Sequence, residues 1–282
     1  MVTGYVVETG AGPLSGRIAG PTEPPRGLVV ALHGGTYDSA FYDTGAGSLL
    51  AAGAALDLCV VALDRPGYGA ATGIGPQWCS FEGQTKLLTE AIAAVIRDVE
   101  PAGTVLIGHS IGGMLALSTA AAGGVDLLGV EVSGIGAVWR PGMLEMWSSF
   151  IGDVPAIEVP AVPHAQVMFG PAGTYTEAQQ QADAAMIRPM PMPELRDVVR
   201  WTDQFPKAAA AVSVPVSLTY PEHDNIWATD EAARSAAAGL FTAAPAVRVE
   251  TLGGAGHSGE LHKPARSYVL RQLAFVEACL AG

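Results

Sequence analysis

Cysteine is scarce and cationic clusters are missing, and each shortage removes a class of function. The three cysteines, Cys59, Cys79 and Cys279, stand far apart and are odd in number, so no disulfide framework is expected. There is no Cys-x-x-Cys, and the six histidines form no metal-ligand spacing such as H-E-x-x-H; the expectation is no metal and no cofactor. Lys and Arg number 15 against 27 acidic residues, a net charge of −12, and they form no patch. Nucleic acid is therefore not an expected partner, because phosphate binding needs clustered cations, and the acidity serves solubility. No apolar run reaches the roughly 18 residues of a membrane span. The opening Met1-Val2-Thr3-Gly4-Tyr5 carries no basic segment leading into an apolar core, so no secretory signal and a cytoplasmic location are expected.

What the chain does have is apolar mass with a regular rhythm. Hydrophobic residues make up 49% of 282, enough for a large core, and the length suits one α/β domain with an insertion. Apolar strand runs end near Leu32, Leu63, Ile107, Val132, Leu218 and Leu252. Helical stretches lie at Ala46 to Ala55, Glu82 to Asp98, Ile111 to Ala122, Asp230 to Leu240 and Ala265 to Leu280. Such alternation implies a mainly parallel sheet covered on both faces, and the residues through Ala19 add an antiparallel edge with glycine-rich turns.

The richest local signal is Gly108-His109-Ser110-Ile111-Gly112, a G-x-S-x-G pentapeptide. It follows the apolar run Thr104 to Ile107 and precedes a small-residue helix. A sharp strand-to-helix turn holds the central serine in strained geometry, and flanking glycines relieve the crowding. A serine hydroxyl is a weak nucleophile without a base, so an acid and a histidine are expected beyond later strands. Val214 to Tyr220 reads as a buried strand and is followed by Pro221-Glu222-His223-Asp224; Val247 to Leu252 alternates and is followed by Gly253-Gly254-Ala255-Gly256-His257-Ser258. Asp224 is the candidate acid and His257 the candidate base. Glu131, at the end of an earlier strand, is a rival acid, and His262 a rival base. Gly254 to Gly259 also fits G-x-G-x-x-G, but too little chain follows for a dinucleotide-binding unit.

On these residues the chain resembles the α/β-hydrolase superfamily, from about Gly27 to the last helix. His33-Gly34-Gly35 resembles the family's oxyanion turn, Asp64-Arg65-Pro66-Gly67-Tyr68-Gly69 its next strand-end motif, and the order Ser110, Asp224, His257 is the family's order. The resemblance implies an oxyanion hole made by the backbone N–H groups of Gly35 and Ile111, with Thr36 as an alternative. His33 and His109 are read as structural, and Asp64 and Arg65 as a pair that fixes a turn.

About 80 residues separate Val132 from Val214 where a single helix would suffice, which implies a lid or cap over the site. The expected division is 1–135 and 207–282 for the core and 136–206 for a mainly helical cap inserted after the sixth strand. Trp139, Met143, Met146, Trp147 and Phe150 recur there at helical spacing, while Arg188 to Pro193 is too proline-rich for regular structure. Trp139, Met143 and Trp147 from the cap, with Thr36, Tyr37, Trp78 and Trp227 from loops, are candidates to line an adaptable apolar pocket.

The expected chemistry is hydrolysis of an ester or thioester of a small, partly hydrophobic acyl substrate, free or bound to a carrier, through an acyl-serine. The alternatives are acyl transfer by the same residues, C–C bond hydrolysis, and ligand binding without catalysis. A serine at the elbow, within the resemblance, speaks against the dehalogenases and epoxide hydrolases, which carry a carboxylate there.

Overall fold

The strands that carry the core are those whose residues are apolar on both faces. In the computed structural model, which describes residues 1–21 and 23–282, β3 (Leu28–Leu32), β4 (Cys59–Leu63), β5 (Thr104–His109) and β6 (Gly129–Ser133) are buried along their whole length. Runs of this kind suit the middle of a parallel sheet with helices on both faces. The outer strands alternate: β1 (Thr3–Thr9) and β2 (Gly12–Ala19) pair antiparallel at one edge, and β2 pairs antiparallel with β4. With β9 (Val216–His223) and β10 (Val247–Gly256), the order is β1-β2-β4-β3-β5-β6-β9-β10.

The helices fall close to the expected stretches. They are α1 (Leu49–Ala54), α2 (Phe81–Val99), α3 (Ile111–Ala122), α9 (Glu231–Ala238) and α10 (Ala265–Ala281). The first begins later than its sequence pattern, because residues Gly45–Gly47 form a tight 3-10 turn and Ser48 caps the helix by accepting the Ala51 N–H. The two last strands run beyond their apolar stretches, to His223 and Gly256, since parallel pairing continues past the residues that face the core. No helix of the described residues is long and apolar enough to cross a membrane, and all three cysteines are free thiols.

Between β6 and β9 the chain forms α4 (Met143–Ser149), α5 (Ala161–Met168), α6 (Glu177–Met186), α7 (Met192–Val198) and α8 (Trp201–Ala211). A two-stranded antiparallel pair, β7 (Ala156–Ile157) and β8 (Met190–Pro191), ties two of its stretches together. Of residues 188–193 only Arg188 and Pro189 are irregular: Met190 and Pro191 sit in β8, and Pro193 occupies the first turn of α7, where its missing N–H costs no helical bond. The division drawn at 206 falls inside α8, which packs on α3 and so completes the helical layer over the sheet.

The sheet brings β5 to its centre and aims its C-terminal end at the loops after β3, β9 and β10. The turn from β5 into α3 is forced. Ser110 has φ 53° and ψ −123°, and both flanking glycines are sterically required. A Cβ on Gly108 would lie 2.6 Å from the Gly113 Cα, and one on Gly112 would overlap the carbonyl oxygens of Leu32 and His33.

Candidate active site

Ser110, Asp224 and His257 are distant in sequence and adjacent in space. His257 Nε2 lies 2.9 Å from Ser110 Oγ, and His257 Nδ1 lies 2.9 Å from Asp224 Oδ2. The second carboxylate oxygen, Oδ1, accepts the backbone N–H groups of Ile226 (2.8 Å) and Trp227 (3.2 Å). The carboxylate is thus fixed by its own loop and turned so that one oxygen faces the imidazole. His257 and Asp224 are fully buried, while Ser110 is partly exposed.

The rival residues are engaged elsewhere. Glu131 accepts from Thr219 Oγ1 (2.9 Å), Tyr268 Oη (3.1 Å) and Gln272 Nε2 (3.0 Å). His262 sits between the Ser258 carbonyl, 2.8 Å from Nδ1, and the Gly170 N–H, 3.1 Å from Nε2, and so ties the His257 loop to the residues after α5.

The turn after β3 lies directly on the elbow. A Cβ on Gly34 would be 3.2 Å from the Ser110 Cβ, and one on Gly35 would be 2.6 Å from Ile111 Cδ1. Of the candidate N–H donors in this turn, that of Thr36 already donates to Tyr68 Oη at 3.3 Å.

A serine–histidine–carboxylate chain at the end of a central parallel strand is an arrangement for acyl chemistry. The sequence profile described as "Alpha/beta hydrolase family" matches residues 29–268. The chain belongs to the alpha/beta hydrolase family. Curated proteins give no sequence match. Among solved structures the chain is similar to a highly thermostable carboxyl esterase from Bacillus coagulans, with TM-score 0.74, 18% identity and 99% of each chain covered. It is also similar to an N-acyl homoserine lactonase, with TM-score 0.72, 17% identity, and 99% of this chain and 98% of that one covered. A carboxylesterase from Bacillus subtilis superposes with TM-score 0.71 at 17% identity, over 98% of this chain and 92% of the other.

In this hydrolase the cavity above Ser110 is small, about 30 Å³, and largely apolar. Of the expected lining residues, Thr36, Trp139, Trp147 and Trp227 reach it; Met114, Met168, Met190, Leu195, Val198 and Ile226 complete the wall. Trp139 and Trp227 stack with ring centroids 4.0 Å apart. The helical stripe divides: α4 begins only at Met143, Trp147 is its one buried residue, and Met143 packs on the core without lining the cavity. Tyr37 also lies outside the wall, because its hydroxyl donates to Asp183 at 2.5 Å and meets Ser258 Oγ at 3.1 Å. Trp78 faces Lys86, whose Nζ lies 5.4 Å from its ring centre. The six residues that complete the wall were all missed by sequence reading; for Met168 and Met190 the signal was methionine at the ends of inserted elements.

Asp64 and Arg65 do not pair with each other. Asp64 accepts from Ser15 Oγ (2.6 Å) and from the Ser39 N–H (2.7 Å), whereas Arg65 forms a buried ion pair with Glu194 of α7. Arg65 also donates to the carbonyls of His33 (2.8 Å) and Gly34 (3.1 Å) and to Gln84 Oε1 (2.7 Å). His33 holds its turn as expected: Nδ1 lies 2.8 Å from the Gly34 carbonyl, and Nε2 accepts the Arg65 N–H at 3.1 Å. Burial and the neighbouring Arg65 push its imidazole far below the usual range, so it is neutral.

Behind His257 lies a buried acid with no hydrogen-bond partner. Both Glu260 carboxyl oxygens are unpaired, and Oε2 stands 3.9 Å from His109 Nδ1. Burial pushes the Glu260 carboxyl up to about 8, so it is protonated at neutral pH. In the unfolded chain this group ionises near pH 4.5. Between that pH and about 8 the folded state holds the extra proton, and stability therefore falls as pH rises through this window. Glu260→Gln removes the penalty. Relative to wild type, the variant is expected to gain about 1–3 kcal/mol between pH 5 and pH 8.5 in urea unfolding; a difference that stays constant over that range contradicts the assignment.

Proposed function

We propose that this hydrolase is a serine esterase or thioesterase acting on a short, apolar acyl group through an acyl-Ser110 intermediate. The observation that carries this reading is the Asp224–His257–Ser110 chain at 2.9 Å per step, set under a cavity of about 30 Å³. His257 Nε2 takes the Ser110 proton as Oγ attacks the acyl carbon, and Asp224 keeps Nδ1–H in place and stabilises the imidazolium that forms. The Gly35 and Ile111 N–H groups receive the oxyanion. His257 then protonates the departing oxygen or sulfur, and water repeats the sequence to release the acid. The naming of two neighbours as carboxylesterases and one as a lactonase supports acyl–oxygen cleavage. The inserted segment acts as a cap in this reading, since Trp139, Trp147, Met168 and Met190 roof the serine. The substrate is a small acyl compound, free or presented on a carrier.

Intact-mass spectrometry after fluorophosphonate treatment of wild type and Ser110→Ala tests the nucleophile, alongside a p-nitrophenyl ester and acyl thioester series. Labelling of wild type alone, with turnover falling steeply as the chain lengthens, is expected. Labelling without any turnover would mean that the acyl acceptor is not water, and absence of labelling would remove the reading. The small cavity favours a short acyl chain. Trp147→Ala opens the roof at its one buried α4 side chain, and the preferred acyl chain is expected to lengthen by several carbons, read as the maximum of kcat/KM along the ester series.

A further inference from the structure

Thr36 is a β-branched residue at φ +64°, a conformation that such a side chain keeps only where its surroundings impose it. Its surroundings do so at every polar atom. The N–H donates to Tyr68 Oη, which in turn donates to Glu194 Oε1 at 2.7 Å. The carbonyl accepts the Arg188 N–H at 2.8 Å. The hydroxyl donates to the Gly35 carbonyl at 2.5 Å, and Thr36 Oγ1 also lies 2.9 Å from His164 Nε2. His164 Nδ1 lies 3.0 Å from Asp183 Oδ2, and the other oxygen of Asp183 accepts from Tyr37. Thr36, His164 and Asp183 are each about 1% exposed.

This is a second carboxylate–histidine–hydroxyl chain, with the spacing of the first. His164 and Asp183 come from α5 and α6 of the inserted segment and Arg188 from the chain that follows, while Thr36 belongs to the turn that carries Gly35. Gly35 sits close against the elbow and the insert: a Cβ there would lie 2.6 Å from Ile111 Cδ1 and 3.2 Å from Met190 Cε. Relaxing Thr36 to an ordinary φ swings the 35–36 peptide, which carries the Gly35 carbonyl and the Thr36 N–H, and through the Gly35 Cα displaces the neighbouring 34–35 peptide that carries the Gly35 N–H.

We propose that His164, oriented by Asp183, is a positioning residue for the oxyanion turn: it locks Thr36 in the left-handed conformation and so aims the Gly35 N–H at the developing oxyanion. The inference rests on the serine-hydrolase reading above. It makes the hole a joint product of core and insert, intact only while α5 is seated on the turn.

A mutant cycle with Thr36→Gly tests it, because glycine adopts φ +64° without a clamp. His164→Ala is expected to lower kcat by about 10²-fold with KM changed less than about threefold, as for a misaimed oxyanion donor. His164→Gln, which keeps a hydrogen-bonding side chain for Thr36, recovers part of the loss. In the T36G background the His164→Ala loss shrinks to about threefold or less. An equal loss in both backgrounds, or none in either, overturns the proposal. If His164→Ala does not fold by thermal unfolding, Asp183→Asn, which keeps the side-chain volume, carries the same cycle. Fluorophosphonate labelling separates the two failures. A wild type whose Ser110 is not labelled sinks the serine-hydrolase reading, whereas a labelled Ser110 with no coupling in the cycle sinks only the role of His164.

Discussion

Ser110→Ala is expected to lower kcat by about 10⁴–10⁶-fold and to leave folding unchanged. The size follows from what the hydroxyl does in the proposed mechanism. Without Oγ there is no acyl-enzyme, and His257 has no proton to take at the reacting centre; the remaining donors and the cavity supply only residual rate enhancement. A loss of this size corresponds to about 5–8 kcal/mol of transition-state stabilisation. The fold is spared because the hydroxyl's hydrogen bond is to His257 and alanine meets the same backbone strain at φ 53°. Circular dichroism and urea midpoints establish folding, and steady-state hydrolysis of p-nitrophenyl acetate gives the rate. A variant within tenfold of wild type would show that the serine is not the nucleophile.

The elbow was legible because its constraints are local. The strand, the serine and the two glycines lie within nine residues, and the overlap a side chain at Gly112 would make with Leu32 is built into any such turn. Asp224 and His257 were legible by order, each just past a strand that the apolar pattern marks. The strand ends were less so, since Pro221 and Gly253-Gly254 look like turn residues although β9 and β10 continue through or beyond them. The inserted segment resisted reading for a different reason. Its meaning lies in contacts across long separations, such as Arg65 to Glu194, 129 residues apart, and Thr36 to His164, 128 apart. Periodicity predicts which residues share a face, not what that face meets. Hence Tyr37 reads as a pocket aromatic in the sequence and turns out to hold Asp183, and the stripe from Trp139 to Phe150 sends Trp147 into the cavity roof while Phe150 remains 43% exposed.

Glu194→Ala is expected to cost about 3–5 kcal/mol of stability, because it leaves a buried cation without its partner. Arg65 is fully buried and uses all five N–H donors: on the His33 and Gly34 carbonyls, on Gln84 Oε1 and on both Glu194 oxygens. Glu194 also accepts from Tyr68 Oη and from Gln84 Nε2, each at 2.7 Å. Its removal therefore strands four buried donors. The pair itself is a different matter, since replacing a buried ion pair by apolar groups of similar volume is often neutral. Arg65→Met combined with Glu194→Leu should accordingly recover part of the lost stability in urea unfolding, the rest staying lost because Tyr68 Oη and Gln84 Nε2 still lack their carboxylate acceptor. It should not recover turnover, because the arginine also pins the carbonyls of the turn that presents Gly35, and methionine donates nothing to them. Stability and kcat restored together in the double variant would show that the ion pair only fastens the insert to the core. Stability restored alone would show that Arg65 transmits the seating of α7 to the oxyanion turn.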